Sequence, residues 1–185
     1  MPTSVPTITS QRLDLVSLST AVLDALLEGH RAEATELIRA TLPGGWPTEQ
    51  TLPFLRLRRE QMERDPDCAK WLVRAIVLRD ASVMIGHSGF HGPPGLNAPG
   101  RAGALELGYA IFADYRNQGY ATEAVTALME WARAEYGVTG FVASIEPDNA
   151  PSLTIVRKLG FVQTGDHWDE EDGLELEFEL TLQHA

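Results

Sequence analysis

Apolar residues recur with two different periods on either side of residues 112–119. Before this stretch they occupy every second position: Leu105, Leu107, Tyr109 and Ile111. After it they recur every three or four positions: Ala121, Val125, Leu128 and Ala132. A period of two is typical of a strand with one buried face, and a period near 3.6 is typical of an amphipathic helix. Residues 112–119 are therefore predicted to link a strand to a long helix, which Gly137 ends.

The same two periods, together with clusters of Gly and Pro that mark turns, predict the helices and strands of the rest of the chain. Three more helices are predicted at residues 20–39 with a break near Gly29, at 51–64, and at 150–159 after an N-cap at Asn149. Strands are predicted at residues 7–16, 70–78, 83–90, 141–145, 161–165 and 173–182, with an acidic loop at 166–172. In the last strand one face is expected to be buried: Leu174, Leu176, Phe178, Leu180 and Leu182.

This order of elements predicts an α+β fold with a mixed sheet. A length of 185 residues suits one domain with a sizeable core, and no repeat or linker interrupts the pattern. We therefore expect a single domain over residues 1–185.

Composition and charge limit the possible partners. With 44% hydrophobic and 22% charged residues the chain has the composition of a soluble globular protein. It shows no signal-peptide pattern, no apolar run long enough to cross a bilayer, and a single cysteine, so we expect a cytoplasmic protein without a membrane partner. The net charge of −11 disfavours direct nucleic-acid binding and favours a cationic substrate.

The loop at residues 116–121 is the main candidate for a binding site. Unpaired N–H groups and the positive end of the helix dipole would meet there, and the small residues Gly119 and Ala121 would let an anion approach the main chain. Arg116 can add a charge-assisted hydrogen bond. The two better-known phosphate-loop patterns, GxxxxGK[ST] and GxGxxG, are absent. The alternative is an ordinary strand-to-helix turn with a surface arginine.

The hexamer Arg116-Asn117-Gln118-Gly119-Tyr120-Ala121 resembles the Gln/Arg-x-x-Gly-x-Gly/Ala signature of the GNAT superfamily of acyl-CoA-dependent N-acetyltransferases. Four further segments are similar to the branch of Rim-type ribosomal-protein and N-terminal alanine acetyltransferases: Gly108-Tyr109-Ala110-Ile111, Ala121-Thr122-Glu123-Ala124, Asn149-x-x-Ser152 and Lys158-Leu159-Gly160-Phe161. The order of elements matches along almost the whole length. The resemblance implies a single-domain GNAT-like fold, with a mixed, mostly antiparallel sheet, a central splayed pair of parallel strands, and helices on both faces.

The resemblance also implies acetyl-CoA as cosubstrate and no metal. In the family the pantetheine arm lies between the splayed strands, which places Ile111, Phe112 and Ala113 along the arm. The remaining cofactor-binding residues would lie in the pyrophosphate loop: Arg116, Asn117, Gln118, Gly119, Tyr120 and Ala121. Asn149 would hydrogen-bond the cofactor or a water at the site, and its simpler role is that of an N-cap.

Three residues are candidates for catalysis: Glu106, Asn149 and Ser152. In the resembling branch an acidic residue at the position of Glu106 faces the acceptor, so Glu106 is the best candidate base. With an ordinary pKa of ~4.3 it would need burial or a water relay to deprotonate an ammonium, and a solvent-facing strand glutamate is the alternative. Many GNAT enzymes have, seven residues after the Asn, a Tyr that acts as the acid for the leaving thiolate. This chain has Val156 at that position. Ser152 could instead hydrogen-bond the sulfur, or be only a first-turn helix residue.

These observations predict direct acetyl transfer from acetyl-CoA to a primary amine in a ternary complex. The acceptor could be a protein N-terminal α-amine, or a small molecule such as a polyamine or an aminoglycoside-like compound. A non-catalytic acyl-CoA-binding module is the alternative, and homodimerisation stays open. His87 and His91 are too far apart along a strand to share a metal, and Cys68 is expected to be a structural thiol.

Overall fold

The computed structural model describes residues 5–96, 101–170 and 173–183. Its α-helices are α1 (Thr20–Leu27), α2 (Arg31–Ile38), α3 (Leu52–Arg64), α4 (Tyr120–Tyr136) and α5 (Ala150–Lys158). Its strands are β1 (Ile8–Thr9), β2 (Leu13–Ser17), β3 (Arg74–Leu78), β4 (Val83–Phe90), β5 (Leu105–Ile111), β6 (Gly140–Ile145), β7 (Val162–Asp169) and β8 (Gly173–Thr181). Short 3₁₀ turns occupy Pro66–Lys70 and Ala113–Tyr115.

The predicted fold class is confirmed, because the strands form a mixed sheet in the order β1-β2-β3-β4-β5-β6-β8-β7. Strands β5 and β6 are parallel, whereas the β1–β2, β2–β3, β3–β4, β6–β8 and β7–β8 pairs are antiparallel. The parallel pairing joins Leu105 to Phe141 and Glu106 to Val142. It therefore covers only the first residues of the two strands.

The structure corrects two of the predicted strands. The strand expected at residues 7–16 is two strands, because Ser10 turns the chain through a hydrogen bond from its N–H to the carbonyl of Leu13. The strand expected from residue 70 begins at Arg74, since the side chain of Asp65 caps a 3₁₀ turn ahead of it.

The prediction of an acidic loop at residues 166–172 is wrong for residues 166–169. Strand β7 continues to Asp169, because residues 166–169 pair with residues 173–176 of β8. Residues 171 and 172 lie outside the described residues. The predicted buried face of β8 also fails at its outer end, where Leu174 is 43% exposed while Phe178 is 2% exposed.

The contacts divide the chain into two compact units. The first consists of Met1–Gly89 and Tyr109–Ala124, and the second of Phe90–Gly108 and Val125–Ala185. Apolar residues of helices α1–α3 and strand β3 form the core of the first unit, including Leu23, Leu55 and Ala75. In the second unit one face of the strands carries a row of buried apolar residues: Leu105, Leu107, Phe141, Ala143 and Phe178. Val142, on the other face, is buried as well. Among the described residues, no helix has the length and apolar content needed to cross a membrane.

His87 in β4 makes the first unit sensitive to acid. Its ring stacks on Phe54 with centroids 5.3 Å apart, and the guanidinium of Arg58 lies over the same Phe54 ring. Burial, together with the charge of Arg58, lowers the pKa of His87 to about 4. In the unfolded chain His87 has an ordinary pKa of ~6.5. Between about pH 6.5 and 4 the unfolded chain therefore binds a proton at His87 that the folded chain does not bind.

We predict that His87 contributes a loss of stability as the pH falls through this window. The free energy of unfolding should fall by about 2 kcal/mol more in the parent protein than in a His87→Gln variant between pH 7.5 and pH 5. Urea unfolding of both proteins at each pH measures the difference. An equal loss in the two proteins would show that His87 titrates in the same way in the folded and unfolded chain.

Candidate active site

Strand β5 leads into the predicted cofactor loop in the first unit. The N–H of Phe112 donates to the carbonyl of Ile85 at 2.9 Å, which holds the chain beside β4 one residue beyond the end of β5. The ring of Phe112 lies 5.9 Å from that of Trp46, which is buried. Trp46, in the Gly/Pro-rich segment before α3, is thus a packing residue behind a predicted cofactor residue.

Two residues of the loop adopt the left-handed conformation that reverses the chain before α4. Asn117 has a φ of 61° and Gly119 a φ of 80°. The carbonyl of Gly119 accepts the N–H of Glu123 at 3.0 Å, which starts the helix. The N–H groups of Tyr120 and Ala121 belong to the first turn, where an α-helix supplies no acceptor. The loop therefore presents backbone donors at the positive end of the helix dipole, as the sequence predicted.

Arg116 is exposed and takes part in the loop itself. Its Nε donates to the carbonyl of Ile111 at 3.0 Å, so that the side chain bridges the start and the middle of the turn. This bond uses one of the five donors of the guanidinium.

A clamp that the sequence did not reveal holds this loop. Glu123 accepts hydrogen bonds from the hydroxyl of Ser10, the N–H of Arg12 and the Nε of Arg12, each at 2.7 Å. Arg12 also donates from Nη1 to the carbonyl of Gln118 at 3.1 Å, and its guanidinium lies 4.3 Å from the centroid of the Tyr120 ring. Burial alone would raise the pKa of Glu123, but these bonds outweigh it and lower the pKa. We call Ser10, Arg12 and Glu123 the loop clamp.

In the second unit, alternation along the strands gathers polar side chains on the face opposite the core. The register pairs Glu106 with Val142, Ser144 with Glu177, and His167 with Glu175, which puts these side chains on one side of the sheet. We call this set the polar face: Glu106, Ser144, His167, Glu175 and Glu177. The contacts agree with the register, because the Ser144 hydroxyl donates to Glu106 at 2.9 Å and His167 lies 3.4 Å from both Glu175 and Glu177.

His91, which follows β4, completes the surroundings of Glu106. Its Nδ1 lies 3.1 Å from Oε2 of Glu106, and its backbone N–H donates to the Glu106 carbonyl at 2.9 Å. The Glu106 side chain is only 10% exposed. Burial, the largest influence, raises its pKa, but the hydrogen bonds from His91 and Ser144 and the nearby His167 outweigh burial and lower the pKa overall. Burial thus does not convert Glu106 into the stronger base that the sequence argument required.

Asn149 and Ser152 begin helix α5 in the second unit. The Oδ1 of Asn149 accepts the N–H of Ser152 at 3.2 Å, which confirms the predicted N-cap. The Ser152 side chain is half-buried in the first turn. Helix α5 packs Val156 into the core. The sequence resemblance would place at this position a Tyr that donates a proton to the leaving thiolate.

The described residues give no support to a reactive thiol at Cys68 or to a metal centre. Cys68 is buried, and burial followed by the charge of Asp65 raises the pKa of its thiol, which makes it a poor nucleophile. Over residues 5–96, 101–170 and 173–183, no three His, Cys, Asp or Glu side chains are placed to hold a metal ion.

Comparison with known families identifies the chain. Residues 12–162 match the model of the acetyltransferase (GNAT) domain. The chain belongs to the GNAT acetyltransferases. This confirms the family and the enzyme class predicted from the sequence.

Relatives of this GNAT chain include an uncharacterized N-acetyltransferase, YjdG of Bacillus subtilis, which is 29% identical over 83% of this chain and 88% of its own length. A solved acetyltransferase from Salmonella typhimurium, which modifies the N-terminal serine of ribosomal protein L7/L12, shares the fold with a TM-score of 0.64 and 17% identity, covering 96% of this chain and 100% of its own. The microcin C7 self-immunity acetyltransferase MccE, solved with acetyl-CoA and AMP, shares it with a TM-score of 0.64 and 15% identity, covering 97% of this chain and 99% of its own.

We predict that the loop clamp of this GNAT protein supports coenzyme A binding. An Arg12→Gln variant loses the guanidinium bonds to Glu123 and to the Gln118 carbonyl but keeps the backbone N–H bond to Glu123, and each charged hydrogen bond contributes about 1.5–3 kcal/mol. We therefore expect the dissociation constant of acetyl-CoA, measured by calorimetry, to rise about tenfold or more. Arg64→Gln is the matched control, because it removes the same charge from an exposed arginine of α3. An unchanged dissociation constant in folded Arg12→Gln would show that the clamp is dispensable for binding.

Proposed function

We propose that this chain transfers the acetyl group of acetyl-CoA to the N-terminal α-amine of a peptide or protein, by direct attack of the amine on the thioester in a ternary complex. The observation that carries the proposal is the buried, hydrogen-bonded carboxylate of Glu106 on strand β5. An ionised carboxylate with a lowered pKa attracts an ammonium and fixes its position.

We assign cofactor binding to the loop of the first unit. Ile111, Phe112 and Ala113 would lie along the pantetheine arm, and the donors of Gln118 to Ala121 would bind the pyrophosphate, with Arg116 and Asn117 in the same loop. The left-handed Gly119 and the loop clamp support this assignment, because both fix the backbone that must face the phosphates. In the second unit, Asn149 and Ser152 would contact the cofactor or its sulfur.

The charge of the polar face supports a cationic acceptor. Glu106, Glu175, Glu177 and the neighbouring Glu179 supply four carboxylates, and Arg101 pairs with Glu177 and Glu179. One guanidinium cannot balance these carboxylates, so the face retains negative charge. Carboxylates of this strand face provide an attraction for an ammonium.

An α-amine suits this site better than a lysine side chain. At pH 7 an α-amine with a pKa of ~8 is about one-tenth unprotonated, whereas a lysine amine near 10.4 is unprotonated in about one molecule in 2,500. A site that has Val156 in place of the acidic Tyr offers less help to the leaving thiolate, so the amine that is easier to deprotonate should react faster. The Salmonella neighbour, which modifies an N-terminal serine, supports this acceptor.

We predict that Glu106 acts on the acceptor and not on the cofactor. Glu106→Gln should bind acetyl-CoA with the parent's affinity, while kcat falls by about 10²–10⁴-fold, the range that acid–base catalysis contributes when a group that supports it is lost. Calorimetry and thiol release measure the two quantities. A kcat of Glu106→Gln within about twofold of the parent's would show that Glu106 has only a structural role.

An acceptor panel tests the proposed function. We expect peptides with an α-amine and basic residues behind it to react faster than the same peptides blocked at the N-terminus with only lysine available. High salt should weaken the preference for basic peptides, because it screens the polar face. Mass spectrometry of the products, with a polyamine and an aminoglycoside in the same panel, identifies the modified amine. Equal or faster reaction of blocked peptides or small amines would overturn the α-amine assignment.

A further inference from the structure

A general base must be accessible to the substrate amine and must accept a proton readily. Glu106 is 10% exposed and accepts bonds from both Ser144 and His91, whereas the His91 side chain is 36% exposed. A solvent-borne amine therefore reaches the imidazole more readily than the carboxylate. The lowered pKa of Glu106 weakens it further as a proton acceptor.

The contact with Glu106 also selects the reactive nitrogen of His91. When Nδ1–H donates to the carboxylate, the lone pair of the neutral ring lies on Nε2. A carboxylate that orients a histidine in this way fixes the tautomer and stabilises the imidazolium that forms.

Gly108 leaves room for that nitrogen. A Cβ at position 108 would lie 2.8 Å from Nε2 of His91, too close without a shift of the ring. Gly108 is two residues after Glu106, so both belong to the same face of β5. On one face of β5, Glu106 therefore orients the imidazole of His91, and Gly108, the next residue on that face, has no side chain that would collide with it.

We propose that His91 is the proton acceptor for the substrate amine and that Glu106 is its positioning residue. This rests on the proposed function and names the group that takes the proton. Nε2 removes one proton from the substrate ammonium, and the nitrogen lone pair then attacks the thioester carbonyl carbon. As the C–N bond forms and the C–S bond breaks, the remaining surplus proton on nitrogen passes to the departing sulfur. The imidazolium later releases its proton to solvent, so that the products are the amide, coenzyme A thiol and one proton.

The pH dependence of kcat/KM separates this role from a structural one. With a peptide acceptor, the parent should show a rising limb that belongs to the imidazole, separate from the limb set by the α-amine with its pKa of ~8. In His91→Gln, kcat/KM should fall at least 50-fold at pH 7 and then follow only the unprotonated fraction of the amine. Glu106→Gln should keep the imidazole limb. Added imidazole should restore part of the activity of His91→Ala.

A second variant leaves both side chains chemically intact. Gly108→Ala should displace the imidazole and lower kcat/KM at least tenfold without changing acetyl-CoA affinity. Gly140→Ala is its control, because the new Cβ in β6 would meet only Ala104, at 3.3 Å. If His91→Gln and Gly108→Ala both retain the parent's rate and its rising limb, His91 is not the proton acceptor. That result leaves the acetyltransferase function standing, whereas a parent enzyme that modifies no amine in the panel would remove the function itself.

Discussion

The pleat of strand β5 is the constraint on which the candidate chemistry depends. Successive side chains of a strand point to opposite faces, so the burial of Leu105 and Leu107 in the core fixes Glu106 and Gly108 on the other face. A shift of register by one residue would exchange the two sets and bury the carboxylate among apolar side chains. The core of the second unit and its polar face are therefore specified together, by the same alternation.

Electrostatics decides what Glu106 can do once it is placed. Burial alone would favour the neutral acid, and hydrogen bonds from His91 and Ser144 reverse that preference. The carboxylate is consequently better suited to holding a cation or orienting an imidazole than to accepting a proton. The same balance occurs at Glu123, where bonds from Ser10 and Arg12 keep a partly buried carboxylate ionised in the loop clamp.

The two carboxylates serve different parts of the reaction that we propose. Glu123 ties the turn between β1 and β2 to the start of helix α4, and so gives the cofactor loop a fixed backbone. We propose Glu106 for the acceptor chemistry. The solved GNAT neighbours share the fold of this chain.

The sequence by itself determined the elements whose periodicity is local. Strand β4, helix α4, the N-cap at Asn149 and the strand-to-helix loop all lie where spacing and punctuation placed them, because these features depend on neighbours in the chain. The hexamer at residues 116–121 and the order of elements were enough to indicate the GNAT family, which the family match confirms. Strand β7 was placed less well, since its outer half is held by pairing with β8 and not by its own composition.

Only the tertiary structure decided which distant residues meet. Arg12 and Glu123 are separated by 111 positions, and a lone arginine in a turn has no periodic signal that would pair it with a helix. Ser144 reaches Glu106 because β6 lies beside β5, and His91 reaches it because the chain after β4 returns to that strand. The direction of the Glu106 pKa shift follows from these contacts. Local sequence sets backbone preference, but the ionisation of a buried group depends on partners that only the folded chain brings within hydrogen-bonding distance.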